Sequence, residues 1–95
     1  MIGFGQTLIP DDNFEQALIN LGYDTTPING SVPTANINTV TSLNVNSQNI
    51  ADLTGIEDFT ALTYLYCSYN QLTILDVSQN TALTYLHCYT NQLPS

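Results

Sequence analysis

The strongest constraint on the fold of this chain is a repeat that spans residues 62–93. Residues 62–72 read LTYLYCSYNQL, and 21 positions later residues 83–93 read LTYLHCYTNQL. A fixed period of this length is typical of a solenoid, in which each repeat packs only against its neighbours. In such an architecture the repeated residues form the core, and the variable residues form the surface that contacts a partner.

Each repeat contains a predicted short strand. Leu65 and Cys67 alternate with tyrosines, which is the period of two of a strand with one buried face. The spacing of Leu62, Leu65, Cys67 and Asn70 returns at residues 72–80 as Leu, Leu, Val and Asn. Each 21-residue repeat is therefore predicted to contain two arcs, each made of a short strand and a turn. A looser copy at residues 40–50 is shifted by 22 positions and has Gln48 where Asn is expected.

These motifs resemble those of a known family. The pattern LxxLxLxxNxL at residues 62–72 and 83–93 resembles the leucine-rich repeat. The stretch LDVSQN at residues 75–80 is similar to the short repeats of secreted and surface bacterial proteins, and residues 8–24 resemble the segment that precedes such arrays in Gram-negative bacteria. The resemblance implies an α/β solenoid with parallel strands, a secreted or cell-surface location and non-catalytic recognition of a protein.

A helix is predicted before the repeats, at residues 10–22. Asp12 and Glu15 form a capping-box pattern, and Gly22 is a typical helix stop. Such a helix would close the open end of the solenoid, which otherwise exposes apolar side chains and strand edges. Four apolar residues at helical spacing form the stripe that would face the repeats: Phe14, Ala17, Leu18 and Leu21.

The chain divides into three predicted segments. Residues 1–7 are either an ordinary tail or the remnant of a signal peptide, residues 8–36 form an N-terminal helical cap and loop, and residues 37–95 form about two and a half leucine-rich repeats, truncated at the C-terminus. No capping pattern follows the last repeat. This predicts either a longer array or self-association through an uncovered apolar end, which comprises Leu83, Leu86, Cys88 and Leu93.

The charge of the chain excludes two classes of partner. There is no Lys and no Arg, and eight Asp and Glu residues give a net charge of −8. Binding to nucleic acid depends on basic side chains that displace counterions from phosphates, and an anionic membrane surface repels an acidic protein. No apolar run approaches the roughly 20 residues of a membrane-spanning helix. The expected partner is therefore a protein or a glycan.

Five residues are predicted to be structural. Asn70, Asn80 and Asn91 recur after each arc, where backbone groups that leave the strand need hydrogen-bond partners. Cys67 and Cys88 occupy the same inward position in neighbouring repeats, about 4.8 Å apart at the backbone. They form either a disulfide or a pair of stacked free thiols, and the parallel direction of their Cα–Cβ bonds favours the thiols.

Neither a catalytic site nor a metal or cofactor site is predicted. His87 is the only histidine; alternation places the neighbouring Cys88 on the opposite, buried face, and no orienting carboxylate lies nearby in the sequence. The acidic residues form no calcium-binding loop pattern, although the neighbours Glu57 and Asp58 remain an alternative for a weak calcium site beside the simpler reading of solvated charge.

The predicted ligand-binding face consists of aromatic residues. Alternation points Tyr64, Tyr66, Tyr85 and His87 outward from the strands in two columns, with Tyr64 over Tyr85 and Tyr66 over His87. Exposed aromatic side chains are typical of interface centres, and they also stack on sugar rings. The alternative is a purely structural aromatic ladder, worth about 0.2–1 kcal/mol per pair. The complete face is Tyr64, Tyr66, Tyr69, Tyr85, His87 and Tyr89.

Overall fold

The structure is a computed structural model and describes residues 5–93. Its N-terminal part contains strand β1 (Gln6–Leu8), helix α1 (Asp12–Asn20) and strand β2 (Ser31–Pro33). Strand β1 pairs with β2 in antiparallel orientation, and Thr7 is buried between its neighbours.

The position of β1 corrects the predicted boundary of the N-terminal tail at residue 7. Thr7 pairs with Val32, 25 positions further along the chain, and a local sequence pattern carries no signal of such a distant partner. Gln6 and Thr7 therefore belong to the folded unit. Residues 1–4 of the predicted tail or signal-peptide remnant lie outside the described residues.

Helix α1 has a different cap from the one predicted. Asp11 is the N-cap residue, and its Oδ1 atom accepts hydrogen bonds from the backbone N–H groups of Asn13 at 2.9 Å and Phe14 at 3.2 Å. The predicted capping box of Asp12 and Glu15 is therefore wrong, since Asp12 is the first helical residue and Glu15 is fully buried. The prediction was off by one residue because aspartate is a favoured N-cap residue, and Asp11 and Asp12 meet this preference equally well.

The helix ends at the predicted glycine. Gly22 has a φ of +89°, and its N–H donates to the carbonyl of Ile19 at 3.0 Å. The N–H of Tyr23 donates to the carbonyl of Leu18 at 2.9 Å, which completes a Schellman motif. Within residues 5–93, no helix is long and apolar enough to span a membrane.

Helix α1 is attached to the following part of the chain by its cap and its apolar stripe. The rings of Phe14 and Phe59 stack with centroids 6.3 Å apart. Asp11 uses both oxygens of its carboxylate. Oδ1 caps the helix, and Oδ2 accepts hydrogen bonds from the backbone N–H groups of Ala51 at 2.9 Å and Asp52 at 3.0 Å. These contacts hold the helix against the loop that follows the first repeat strand.

Three short parallel strands follow, namely β3 (Ser42–Asn44), β4 (Tyr64–Tyr66) and β5 (Tyr85–His87). They form one sheet in the order β3-β4-β5, so each strand lies beside its counterpart in the next repeat. Leu43 pairs with Leu65, and Leu65 pairs with Leu86, which reproduces the sequence offsets of 22 and 21. The predicted parallel strands are therefore present.

The prediction of two strands in each repeat is wrong. Residues 72–77 form no strand, and one repeat earlier the equivalent residues 50–55 form none either and are followed by a 3₁₀ helix, Ile56–Asp58. A 3₁₀ helix bonds its backbone internally, so Ile56–Asp58 adds no extended edge for a second parallel ladder. The arc still contributes to packing, because Leu72 is fully buried and Leu75 packs against the core.

The core is complete between the first two repeat strands and open at the third. Leu62 and Leu65 are fully buried, whereas Leu86 is 39% exposed although it occupies the same position as Leu65. β3 is also an edge strand, yet its Leu43 is fully buried, so the difference arises because other described residues cover the inner side of the sheet at β3 and not at β5. Identical residues of successive repeats therefore differ in burial according to their place in the stack.

Candidate functional site

Strand register brings the outward-facing aromatic residues into contact. Tyr64 pairs with Tyr85 and Tyr66 pairs with His87. The rings of the first pair have centroids 5.3 Å apart and planes 20° apart, and those of the second pair are 5.0 Å and 29° apart. These separations follow from the spacing of about 4.8 Å between neighbouring strands. The structure thus places the four rings in the two columns expected from the sequence.

Contacts along β5 join the two columns. The rings of Tyr85 and His87 are 5.3 Å apart and nearly parallel, with 7° between their planes. Tyr89 then meets His87 edge to face at 5.6 Å and 81°. Offset stacking and edge-to-face contacts are the favoured geometries of aromatic pairs. Five of the six predicted residues therefore form one continuous surface, called here the aromatic cluster: Tyr64, Tyr66, Tyr85, His87 and Tyr89.

The sixth residue, Tyr69, lies beside the aromatic cluster without stacking on it. Its backbone N–H donates to the carbonyl of Tyr89 at 2.8 Å, and its side chain is 59% exposed. Tyr69 has a φ of +58°, which is strained for a bulky residue; Ser47 and Thr90, at the same position in neighbouring repeats, have similar values. The backbone at this position would suit a smaller residue, so the tyrosine is not required by the turn.

The aromatic cluster is exposed and carries no carboxylate. Tyr85 is 53% exposed and Tyr89 is 63% exposed, while Tyr66 and His87 are half-buried between their neighbours. None of the eight acidic residues lies in strands β3, β4 or β5. The sheet therefore presents an uncharged aromatic surface on a chain whose net charge is −8.

Two polar residues extend this surface and were missed by the sequence reasoning. Ser42 pairs with Tyr64 and Asn44 pairs with Tyr66 in the parallel sheet, and both are exposed. The sequence signal for both residues is their alternation with Leu43, which places them on the outward face of the strand. They were missed because the predicted face included aromatic residues only. Their hydroxyl and amide groups add hydrogen-bonding capacity beside the rings.

The turn asparagines bond to the backbone of adjacent repeats. The Oδ1 atom of Asn70 accepts hydrogen bonds from the N–H groups of Gln48 at 2.9 Å and Ile50 at 3.1 Å. Its Nδ2 atom donates to three carbonyl groups, those of Val45, Cys67 and Ser68. The buried amide of Asn70 thus joins the turn of its own repeat to the turn of the preceding repeat. This turn follows strand β4, which carries Tyr66.

Asn91 and Asn80 make related contacts. Asn91 donates to the carbonyl of Cys67 at 3.0 Å and accepts from the N–H of Leu72 at 3.0 Å. Asn80 donates to the carbonyls of Ile56 at 2.8 Å and Phe59 at 3.1 Å. All three amides therefore satisfy backbone groups that the short strands leave without partners.

Both cysteines are free thiols on the inner side of the sheet. Cys67 is fully buried, and Cys88 is partly exposed. Burial, with a smaller contribution from Cys88, raises the pKa of the Cys67 thiol to about 12. Cys67 therefore stays protonated at neutral pH and packs as a small apolar side chain.

The chemistry available at the aromatic cluster is that of contact and hydrogen bonding. His87 is surrounded by tyrosine rings, and the structure shows no ring-nitrogen hydrogen bond to a carboxylate in residues 5–93. Across the same residues, no group of three or more His, Cys, Asp or Glu side chains is placed to hold a metal ion.

Comparison with known proteins places the chain among bacterial repeat proteins. No model of a known protein family matches it. Internalin J of Listeria monocytogenes serotype 4b is 44% identical over 71 residues, which cover 75% of this chain and 8% of Internalin J. The chain thus spans less than a tenth of the length of this relative.

Solved structures give the same result at the level of the fold. The functional domain of InlJ from Listeria monocytogenes, which includes a cysteine ladder, matches 95% of this chain and 20% of that domain with a TM-score of 0.78 and 37% identity. The internalin InlF of the same species matches 93% of this chain and 26% of its own length, with a TM-score of 0.82 and 26% identity. The chain is therefore a bacterial leucine-rich-repeat protein of mixed α/β fold, homologous to the Listeria internalins.

Proposed function

We propose that the chain is a non-catalytic protein-recognition or adhesion module of an exported bacterial protein, secreted or held at the cell surface. The ligand would bind the face formed by Tyr64, Tyr66, Tyr69, Tyr85, His87 and Tyr89. The observation that carries this proposal is the aromatic cluster, which is ordered by mutual stacking and remains exposed.

The stacked rings suit recognition because they are held in place before a ligand arrives. Tyrosine contributes a large contact area and a hydroxyl group, and it loses little side-chain entropy on binding. Stacking between neighbouring repeats reduces that loss further. An uncharged aromatic centre with polar neighbours such as Ser42 and Asn44 matches the composition of protein interfaces.

The rest of the chain would support this face as a solenoid. In this proposal residues 37–95 form the repeats, and residues 8–36 form an N-terminal cap that closes one end. The stacking of Phe14 on Phe59 and the hydrogen bonds that Asp11 accepts from Ala51 and Asp52 support the cap. The inward column of Cys67 and Cys88 parallels the cysteine ladder described for the InlJ domain.

Carbohydrate binding at the cell surface is the second candidate, because exposed tyrosine rings stack on sugars. It is favoured less by the geometry. Sugar stacking uses a free ring face, and here the faces of Tyr85 and His87 are stacked on each other. Tyr85 also stacks on Tyr64, so its ring has neighbours that compete with a sugar for both faces. A role as an accessory segment of a longer enzyme is a further alternative, which rests on the small share of Internalin J that the chain covers.

The experiment that tests the proposal is a binding screen with matched variants. The purified chain is applied to an array of extracellular protein domains and to a glycan array, beside Tyr64→Ala and Tyr85→Ala. Removing a central tyrosine from an interface costs about 2 kcal/mol or more, so affinity should fall roughly 30-fold. Ile28→Ala is the control, because Ile28 is exposed to a similar extent, 38% against 41% for Tyr64, outside the sheet.

The outcomes separate the candidates. Loss of binding to a protein with both tyrosine variants, but not with Ile28→Ala, supports protein recognition. Competition by soluble glycan identifies the carbohydrate alternative. If both tyrosine variants bind every identified ligand as well as the unmodified chain does, the aromatic cluster is structural and the proposal is wrong.

A further inference from the structure

A groove lies outside the aromatic face, in the segments that connect one strand to the next. It is formed by residues 51–57 of one repeat and residues 73–76 of the next, and its volume is about 520 Å³. Leu53 and Ile56 at its base are buried, whereas Ile74 is 77% exposed. A second depression of about 380 Å³ shares residues 73–75 and extends to Leu93.

Three carboxylates line this groove. Asp52 uses its Oδ1 atom to accept from Thr54, and Glu57 uses its Oε1 atom to accept from Gly55. Asp76 accepts from the backbone N–H of Ser78 through Oδ1, and the hydroxyl group and N–H of Ser78 together lower the pKa of its carboxyl group, so that Asp76 stays charged near neutral pH. The second oxygen of each carboxylate makes no hydrogen bond within residues 5–93.

The chain has no means of neutralising these charges by itself. It contains no Lys and no Arg, so neither another segment of these 95 residues nor a second copy of the chain offers an ammonium or guanidinium group from a side chain to the groove. Exposed apolar surface beside uncompensated negative charge favours a partner that combines aliphatic and cationic groups.

The spacing of the carboxylates selects an extended partner over a single ion. Although Asp52, Glu57 and Asp76 line one groove, they do not form a cluster that is placed to hold a metal ion, nor does any other set of acidic residues in the described part of the chain. A short peptide with alternating basic and aliphatic side chains reaches several carboxylates at once. It also covers Ile74 and the apolar base.

From these observations we infer that the groove formed by residues 51–57 and 73–76 is a second interaction site, which binds an extended peptide segment rich in Arg or Lys and in aliphatic residues. Its guanidinium or ammonium groups pair with the three carboxylates, and its aliphatic side chains pack beside Ile74. The site is separate from the aromatic cluster in sequence and in chemistry, and it does not depend on the function proposed for that cluster.

The test is an NMR titration of the ¹⁵N-labelled chain with a synthetic hexapeptide that alternates leucine and arginine and is blocked at both ends. The amide signals of residues 51–57 and 73–76 should shift and saturate, and those of β4 and β5 should stay in place. A peptide with glutamate instead of arginine should cause no shift. Glu57→Gln and Asp76→Asn should each weaken binding about threefold, as expected for one exposed ion pair.

Two control variants make the result decisive. Asp12→Asn removes one exposed charge on helix α1 and should leave the affinity unchanged, whereas Ile74→Ser should weaken binding although the charge is unaltered. The inference is wrong if no signal shifts, if the shifts lie on the strands, or if Asp12→Asn weakens binding as much as Asp76→Asn. It is also wrong if calcium chloride alone shifts the same amides and saturates, because the groove would then be a cation site.

Discussion

The carboxylate of Glu15 accepts a hydrogen bond from the backbone N–H of Gly30 at 2.8 Å, and it is fully buried. The N–H of Asn29 approaches both carboxylate oxygens at 3.2 Å. Asp24 lies next to it, is 8% exposed, and has one buried oxygen without a hydrogen-bond partner in the described chain. Helix α1 is thus tied to the following loop through a buried acid that no basic residue neutralises.

This arrangement predicts that acid stabilises the N-terminal part of the fold. Burial, followed by the neighbouring carboxyl group of Asp24, raises the pKa of Glu15, and the N–H groups of Gly30 and Asn29 offset only part of this. A carboxyl whose pKa is raised on folding contributes stability below its unfolded pKa of about 4.3, and this contribution is lost as the pH rises through the folded pKa. Urea denaturation between pH 4 and pH 7 should therefore show that Glu15→Gln reduces the fall in unfolding free energy with rising pH.

The comparison variant for this experiment is Gln16→Ala. Gln16 is exposed on the same helix and does not titrate, so its replacement should leave the slope of the unfolding free energy against pH as it is. Parallel curves for the unmodified chain and Glu15→Gln would show that Glu15 has the same pKa in both states, against the prediction.

Gly55 is predicted to be the least replaceable glycine in the described chain. Its φ is +110°, and a Cβ atom there would lie 2.7 Å from the carbonyl oxygen of Leu8 and in collision with Ile9. Strain at positive φ of about 1–2 kcal/mol adds to an overpacking cost of about 1–3 kcal/mol, so Gly55→Ala should lower the unfolding free energy by roughly 2–5 kcal/mol.

Gly22→Ala provides the matched control for Gly55→Ala. Gly22 also has a positive φ, +89°, but a Cβ atom there meets nothing within 4 Å. Its replacement should cost only the conformational strain, about 1 kcal/mol. Equal midpoints of urea denaturation for the two variants would show that the close approach of β1 to Gly55 does not limit packing.

The repeat part of the fold and the aromatic cluster were predictable because their signals are periodic. The 21-residue offset fixes which residues lie side by side in a parallel sheet, so the stacking of Tyr64 on Tyr85 follows from pairing alone. The contact between Tyr85 and His87 depends on the rotamers within one strand, which the offset does not determine.

Features with a single, distant partner were not predictable. Glu15 fits a local capping rule, yet it bonds to a loop 15 residues away, and β1 needs a partner strand 25 residues away. Neither contact repeats along the chain. The nested pattern at residues 72–80 misled for the opposite reason, because similar apolar spacing serves both a strand and an arc that packs on a 3₁₀ helix.

Asn70 is predicted to stabilise the fold more than Asn91, although both occupy the same repeat position. Asn70→Ala removes the hydrogen-bond partner of the N–H groups of Gln48 and Ile50 and of the carbonyl of Val45, which should cost about 2–4 kcal/mol. Asn91 is partly exposed, so water replaces some of its contacts, and Asn91→Ala should cost about 1 kcal/mol.

The measurement for this pair is the free energy of unfolding from urea denaturation, with hydrogen exchange at the amide of Ile50 as a local readout. Exchange at Ile50 should speed up in Asn70→Ala and remain slow in Asn91→Ala. If the two variants lose the same stability, the depth of the asparagine in the stack does not determine its contribution.

The two cysteines are predicted to differ strongly in reactivity. Cys67 is fully buried and burial raises its pKa to about 12, so the reactive thiolate is scarce and shielded at pH 8. Cys88 is partly exposed at the open side of the sheet. Native protein treated with a thiol-reactive dye should therefore react first at Cys88, with Cys67 at least tenfold slower and dependent on opening of the fold.

Cys88→Ser should abolish the fast phase and leave the slow one, and urea should merge both phases. A single fast phase for both thiols in native protein would show that the inner side of the repeats is open to solvent, contrary to the burial of Cys67.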